Sequence, residues 1–101
     1  MLFRSELAEL FVPDPAVLGV LERGAAVILI AADPTRTVHK YSDRGWRFAL
    51  MECGAVMHHI SLAAEALGAQ VRPIGGFLDQ AVRDRVGGPA LPLLFLLVAA
   101  P

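Results

Sequence analysis

Two short motifs in this chain contain groups that can take part in chemistry. The first is the adjacent pair Lys40 and Tyr41, whose amine and phenol can exchange protons with a substrate. The second is the run Pro73-Ile74-Gly75-Gly76-Phe77, where two adjacent glycines allow a ligand to approach the main chain closely. Each motif also has an ordinary structural interpretation: the Lys-Tyr pair as a solvated helix end, and the glycine run as a simple turn. The pair comes first, a long and nearly uncharged segment follows, and the glycine run comes last. This order along the chain is more specific than either motif alone.

The segment from residue 39 to residue 77 resembles the C-terminal half of the FMN-dependent nitroreductase family. Within it, the closest likeness is to the branch that oxidises azoline rings in modified peptides. The likeness rests on the Lys-Tyr pair, on Arg44-Gly45-Trp46-Arg47, and on the glycine turn that follows a helix of small residues, and it extends over residues 25 to 99. Nitroreductases are usually considerably longer. The resemblance therefore implies a truncated nitroreductase-like half-domain of the α+β class.

The same resemblance implies FMN as the cofactor, shared with a partner subunit. In the family the flavin lies between two subunits, and an N-terminal segment without a counterpart here holds its phosphate. Lys40 and Tyr41 would assist proton abstraction while the flavin takes a hydride, because a desolvated lysine, or a tyrosine beside a cation, can act as a base. The turn would contact the N5 and O4 edge of the flavin, where negative charge develops on reduction. The expected cofactor-binding residues are Pro73, Ile74, Gly75 and Gly76.

Composition independently indicates a protein that needs a partner. Of its 101 residues, 55% are hydrophobic without counting glycine, whereas soluble domains have about 45–50% with glycine included. One small domain cannot bury this much apolar surface in its own core, so burial in an obligate interface is expected. The resemblance implies that this partner is a larger nitroreductase-like flavoprotein subunit, within a higher-order oligomer.

Charge and hydropathy argue against several other partners. The net charge is −1 with acids and bases mixed, which does not favour nucleic acid or an anionic membrane surface. Glu6 and Glu9 interrupt the N-terminal apolar run, and the apolar run at residues 90–101 is shorter than the ~20 residues of a membrane span. A cytoplasmic location is expected. Cys53 is the only cysteine, and its apolar neighbours predict a buried thiol.

Capping residues and apolar runs predict one domain over residues 1–101, with two or three strands beside a long helix. Asp14-Pro15 and Asp33-Pro34 predict helix starts, and Gly24 predicts a helix end. The long helix has few charges, so it is expected to be buried on most sides. Gly45 is expected to loosen the chain near the Lys-Tyr pair, and the first dozen residues are expected to form a separate element. The predicted helices are 15–23, one from residue 34, 44–67 and 78–86, and the predicted strands are 25–31, 70–74 and 93–98.

Other polar residues are weaker candidates. His58 and His59 point about 100° apart on a helix, so they cannot chelate one metal ion from a single face, and no metal is expected. An interface or core position is expected for both, with flavin or substrate contact as the alternative. Four arginines are candidates for the FMN phosphate, although the partner is expected to hold it. They are Arg36, Arg44, Arg47 and Arg72.

These features favour one subunit of a heteromeric enzyme. The pattern resembles cyclodipeptide oxidase, in which a nitroreductase-type flavin subunit and a small subunit dehydrogenate a cyclic dipeptide at Cα–Cβ in natural product biosynthesis, with oxygen as the acceptor. There are three alternatives: a purely structural subunit, an azoline-type peptide dehydrogenase subunit, and a homodimeric flavin-binding or redox-sensing protein.

Overall fold

The structure, a computed structural model, describes residues 4–23 and 26–99. Five helices and three strands follow one another in this part of the chain. The helices are α1 (Arg4–Ala8), α2 (Pro15–Glu22), α3 (Pro34–Tyr41), α4 (Arg44–Ala66) and α5 (Asp79–Val86); the strands are β1 (Ala26–Ala32), β2 (Gln70–Ile74) and β3 (Leu91–Ala99). The α+β class is confirmed, with a three-stranded sheet beside the long helix α4.

Both predicted aspartate-proline helix starts are confirmed. The Asp14 carboxylate accepts a hydrogen bond of 2.9 Å from the N–H of Ala16. The Asp33 carboxylate accepts from both the N–H and the hydroxyl of Thr35, at 3.1 and 2.6 Å. These bonds satisfy N–H groups in the first helical turn that have no partner inside the helix. The predicted helix end at residue 24 and the predicted strand start at residue 25 lie outside the described residues.

The chain breaks between α3 and α4 at Ser42 rather than at Gly45. Ser42 has a φ of 53°, in the left-handed region, so α3 ends at the residue before it. Gly45 lies inside the first turn of α4 and is buried. The expectation that Gly45 loosens the chain is therefore wrong, because this residue lies within the helix and the break falls at Ser42.

A Schellman motif ends α4 and turns the chain back into β2. The N–H of Ala69 donates to the carbonyl oxygen of Ala64 at 2.8 Å, and that of Gly68 donates to Glu65 at 3.1 Å. Gly68 has a φ of 76°, which a residue with a side chain rarely adopts. The predicted helix 44–67 is confirmed, with its end one residue earlier, at Ala66.

One stripe of α4 is buried and the rest is exposed. Gly45, Ala49, Cys53 and Ala64 are the buried residues, and their spacing puts them on one helix face. The prediction that α4 is buried on most sides is therefore wrong for this chain, which buries only this stripe. The helix also carries exposed large apolar side chains. Those away from the buried stripe form what we call the outer surface of α4: Phe48, Leu50, Met51 and Leu62.

The central strand of the sheet is β3, which pairs antiparallel with β1 on one side and β2 on the other. Its middle residues Phe95, Leu96 and Leu97 are buried. Phe95 and Leu97 belong to the core that α2 and α5 cover. Alternate strand residues face opposite sides, so Leu96 lies on the face that α4 covers. Pro92 is tolerated in β3 because β2 pairs only from residue 95 onward, which leaves this end with one neighbouring strand.

Within the described part of the first dozen residues, 4–12, the chain does not form a separate element. Leu10 and Phe11 are buried in the core, and Phe11 forms a β-bridge with Phe77. The ring centroids of Phe11 and Phe95 are 4.9 Å apart, and the N–H of Leu78 donates to the carbonyl of Leu10 at 2.8 Å. The prediction was wrong because the acidic residues before Leu10 suggest a solvated segment, whereas the two apolar residues that follow anchor it.

Candidate functional site

The turn after β2 presents two main-chain N–H groups. The carbonyl oxygen of Gly75 accepts from the N–H of Phe77 at 3.2 Å, and that of Gly76 accepts from the N–H of Val12 at 3.1 Å. The N–H groups of Gly75 and Gly76 themselves have no acceptor among the described residues. Both glycines are exposed. Two adjacent donors are therefore available to a ligand atom that accepts hydrogen bonds.

The turn is fixed at both ends. Ile74 before it is buried, and Phe77 after it packs edge-on against Phe95 with ring centroids 5.3 Å apart. The hydrogen bond from Val12 holds the middle of the turn. The two donors are therefore preorganised, which is the property that electrostatic stabilisation of a developing negative charge requires.

A groove of about 400 Å³ opens beside the turn. Its walls are the end of β2 and the segment that leads into α2, with Arg72 and Asp14 as the charged residues of its lining. A Cβ added at Gly75 would meet no atom within 4 Å, and one added at Gly76 would meet only the Val12 side chain, at 3.9 Å. The fold of this chain therefore does not itself require glycine at either position.

Sequence reasoning found the turn but missed the opposite wall of this groove. Val12, Pro13 and Asp14 line it, although they are far from the turn along the chain. Asp14 was recognised only as a helix cap. No local pattern places these residues beside β2, because their position follows from the docking of Phe11 against Phe77.

Lys40 and Tyr41 lie at the exposed corner between α3 and α4. The Lys40 Nζ is 5.2 Å from the centroid of the Tyr41 ring, within cation–π range, and the Tyr41 ring makes an edge contact with Phe48 at 5.0 Å. Both side chains are exposed, so this chain alone does not provide the desolvation that a lysine base requires. The pair borders an open groove of about 580 Å³, whose other lining residues are Ser42, Asp43, Arg44 and Phe48.

The two motifs are not brought together within one chain. No residue lines both grooves: one is bounded by the corner between α3 and α4, and the other by the end of β2 and the approach to α2. The structure therefore places the two motifs at two separate grooves.

His58 and His59 are both exposed on α4. The Nδ1 of His59 is 2.9 Å from the carbonyl oxygen of Ala55, one turn earlier in the helix. A core position is therefore wrong for both, and an interface position stays a prediction. Within residues 4–23 and 26–99 there is no group of three or more His, Cys, Asp and Glu side chains that could hold a metal ion.

The remaining candidates have different surroundings. Cys53 is buried, as predicted, and burial raises the pKa of its thiol; such a thiol is a poor nucleophile because little thiolate forms. Arg72 borders the groove beside the glycine turn, and Arg44 borders the Lys-Tyr groove. Arg36 lies at a third cavity of about 370 Å³ beside Cys53, and Arg47 lines none of the three.

The chain exposes more surface than a compact protein of its mass. Its accessible surface is 6782 Å², against about 5,500 Å² expected for a folded monomer of this size. Its radius of gyration is 14.5 Å, against about 13 Å for a compact domain of 100 residues. The excess exceeds the ~800 Å² that one partner buries in a standard protein interface.

In the described part of the chain, no helix is both long and apolar enough to cross a membrane.

Comparison with known proteins identifies the family. An α+β chain with a long helix and a glycine turn beside a groove is consistent with a flavoenzyme half, and the Nitroreductase family model matches residues 8–100. The chain belongs to the nitroreductase family. A curated protein of Methanocaldococcus jannaschii, named "Putative nitroreductase MJ1384", is 38% identical over 72 residues, which are 71% of this chain and 36% of that protein. No solved structure matches the chain.

The match extends to the family and not to a particular branch of it. Members of the nitroreductase family typically bind FMN. The chain spans only about a third of the length of the curated relative it matches.

Proposed function

We propose that this chain is the small subunit of a heteromeric FMN-dependent oxidoreductase and supplies part of a flavin site shared with a larger nitroreductase-like flavoprotein. One observation carries the proposal: two preorganised N–H groups without an acceptor among the described residues, at glycines that the fold itself does not require. Ligand approach explains both properties, because a side chain at either position would obstruct contact with the main chain.

These residues fit one edge of a flavin. The N5 and O4 atoms of a flavin accept hydrogen bonds, and the Gly75 and Gly76 N–H groups are adjacent donors. The groove lining carries one positive and one negative charge, Arg72 and Asp14, so the two N–H groups are the donors proposed to stabilise the negative charge that develops there on reduction. When bound, FMN supplies a two-electron acceptor that takes a hydride from the substrate carbon. The turn binds and orients that edge.

The phosphate of FMN is assigned to the partner. Arg72 is the only basic residue among those that line the groove beside the turn, and a phosphate usually needs several charge-assisted hydrogen bonds. The outer surface of α4 is the proposed contact with the partner, because its exposed apolar side chains resemble half of a core.

Lys40 and Tyr41 are proposed to take the substrate proton. With the flavin as hydride acceptor, the unprotonated Nζ of Lys40 or the ionised Oη of Tyr41 would accept the proton of the neighbouring substrate atom, so that the substrate would lose two hydrogen atoms as its double bond forms. Oxygen would be the final two-electron acceptor and would leave as hydrogen peroxide. Because the pair and the turn border different grooves of this chain, a single flavin would receive the turn from one copy of the chain and the pair from a second copy within the higher-order oligomer, where a neighbouring subunit would desolvate the pair.

The proposed substrate is a cyclic dipeptide, desaturated at Cα–Cβ. The test is incubation of the purified complex with a panel of cyclic dipeptides and with an azoline-containing peptide, followed by mass spectrometry and a peroxide assay. Loss of two hydrogen atoms from a cyclic dipeptide supports the proposal. Oxidation of the azoline ring alone supports the azoline-type alternative. Unchanged turnover in a complex lacking both Lys40 and Tyr41 supports a structural subunit, the alternative that the exposure of this pair favours.

A further inference from the structure

We propose that Asp14 is a further binding residue of the groove beside the glycine turn and accepts a hydrogen bond from the N3–H of the flavin. The inference rests on the proposed function, because it adds a residue to the flavin edge that the turn would contact. Asp14 is the one acidic side chain in the lining of that groove. A carboxylate beside a site of developing negative charge is unfavourable unless the ligand offers it a hydrogen-bond donor.

The Asp14 carboxylate has an oxygen available for this bond. Its Oδ1 accepts from the N–H of Ala16 at 2.9 Å and so caps α2. In the described part of the chain, no donor contacts Oδ2 and no cation forms an ion pair with Asp14. An ionised carboxylate can accept several hydrogen bonds. The helix cap therefore leaves Asp14 able to accept from a ligand.

The structure fixes this carboxylate beside the turn. The cap bond orients the half-buried side chain on α2. Two residues earlier, the N–H of Val12 donates to the carbonyl oxygen of Gly76 at 3.1 Å, which ties the segment before α2 to the turn. Arg72 lines the same groove but forms no ion pair with Asp14. Both charged groups therefore remain available to one ligand.

The polar groups of the groove match a cyclic imide edge better than an anion. The N–H groups of Gly75 and Gly76 and the Arg72 guanidinium are donors, and the Asp14 carboxylate is an acceptor. A ligand with acceptors alone, such as a phosphate, would leave Asp14 facing a like charge. The pyrimidine edge of a flavin offers N5 and O4 as acceptors, N3–H as a donor and O2 as an acceptor. Asp14 supplies the acceptor that this single donor requires.

The variant Asp14→Ser tests the assignment while keeping the helix cap. Serine caps a helix about as well as aspartate, but its single hydroxyl oxygen leaves no carboxylate for the ligand. In the flavin-stripped complex, we expect the dissociation constant of FMN to rise roughly 10- to 150-fold, as for the loss of a hydrogen bond to a charged group. The matched control is Asp33→Ser, because Asp33 caps α3 in the same way and does not line this groove. We expect parental FMN affinity for the control.

N3-methyl FMN, which lacks the N3–H, separates this contact from a general defect. We expect the parent complex to bind it at least about tenfold more weakly than FMN, and the Asp14→Ser complex to bind the two within about twofold of each other. Equal discrimination in both complexes, an unchanged FMN affinity in Asp14→Ser, or an equal loss in Asp33→Ser would overturn the assignment. The proposed function would then still stand if Gly76→Val weakens FMN binding, and would fail with it if Gly76→Val does not.

Discussion

Replacing Gly76 with valine is expected to weaken flavin binding while leaving the chain folded. The added Cβ would lie 3.9 Å from the Val12 side chain, an ordinary van der Waals distance. Gly76 is not among the residues with positive φ, so its backbone conformation is open to a residue with a side chain. The change in the free energy of unfolding should therefore stay within about 1 kcal/mol.

The expected loss of FMN affinity follows from the hydrogen bonds that the substitution would remove. The N–H groups of Gly75 and Gly76 would both donate to the flavin, and each such bond contributes about 1 kcal/mol net, or about 1.5–3 kcal/mol when the acceptor is charged. A branched side chain that keeps the flavin edge away loses one or both bonds. A loss of about 1–3 kcal/mol corresponds to a dissociation constant raised roughly 5- to 150-fold. Gly76→Ala should give an intermediate value.

The assay is a titration of FMN fluorescence in the flavin-stripped complex of this chain with its partner. The control is Gly19→Ala in α2. An added Cβ at Gly19 also makes an ordinary contact, 3.6 Å from the side chain of Arg23, and Gly19 does not line the groove beside the turn. We expect parental affinity for the control. FMN affinity within twofold of the parent for Gly76→Val, in a complex of unchanged size, would refute the assignment of this turn to the flavin.

Three further predictions concern other parts of the chain. Lys40→Ala and Tyr41→Phe should each slow anaerobic flavin reduction by the ~10²–10⁴-fold associated with a general base, with FMN content unchanged; single-turnover rates within twofold of the parent would remove them from the mechanism. Met51→Glu should abolish co-purification of the partner, because Met51 is 68% exposed in the single chain and an unpaired carboxylate is costly to bury, whereas Val86→Glu on α5 should not. Because burial raises the pKa of the Cys53 thiol, its labelling should be slow in the native chain and keep rising at pH values where an ordinary thiol has levelled off; equal rates in native and denatured chains would contradict this.

The local parts of the fold could be predicted from sequence because their signals are local. Asp14 and Asp33 cap the helices that follow them, and Gly68 ends α4 through a backbone conformation that glycine adopts readily. The long apolar runs became the two strands at residues 26–32 and 91–99. Each of these features depends on a few consecutive residues, so no knowledge of the tertiary structure is required.

The parts that depend on tertiary contact could not be predicted. The docking of Phe11 against Phe77 joins residues far apart in sequence, and it determines both the core position of the N-terminal segment and the wall of the groove. The same limit applies to the site. The motifs containing Lys40 and Gly76 could be chosen from the sequence, but the separation of their two grooves depends on the packing of α4 on the sheet.

The central claim is that this chain contributes to a flavin site that a larger subunit completes. The most direct measurement is the visible absorbance spectrum and bound-flavin content of the tagged chain, purified alone and together with its co-purifying partner. We predict FMN in the two-subunit complex, and a chain without FMN that is poorly soluble when purified alone. A monodisperse, yellow monomer of this chain with stoichiometric FMN would contradict the account.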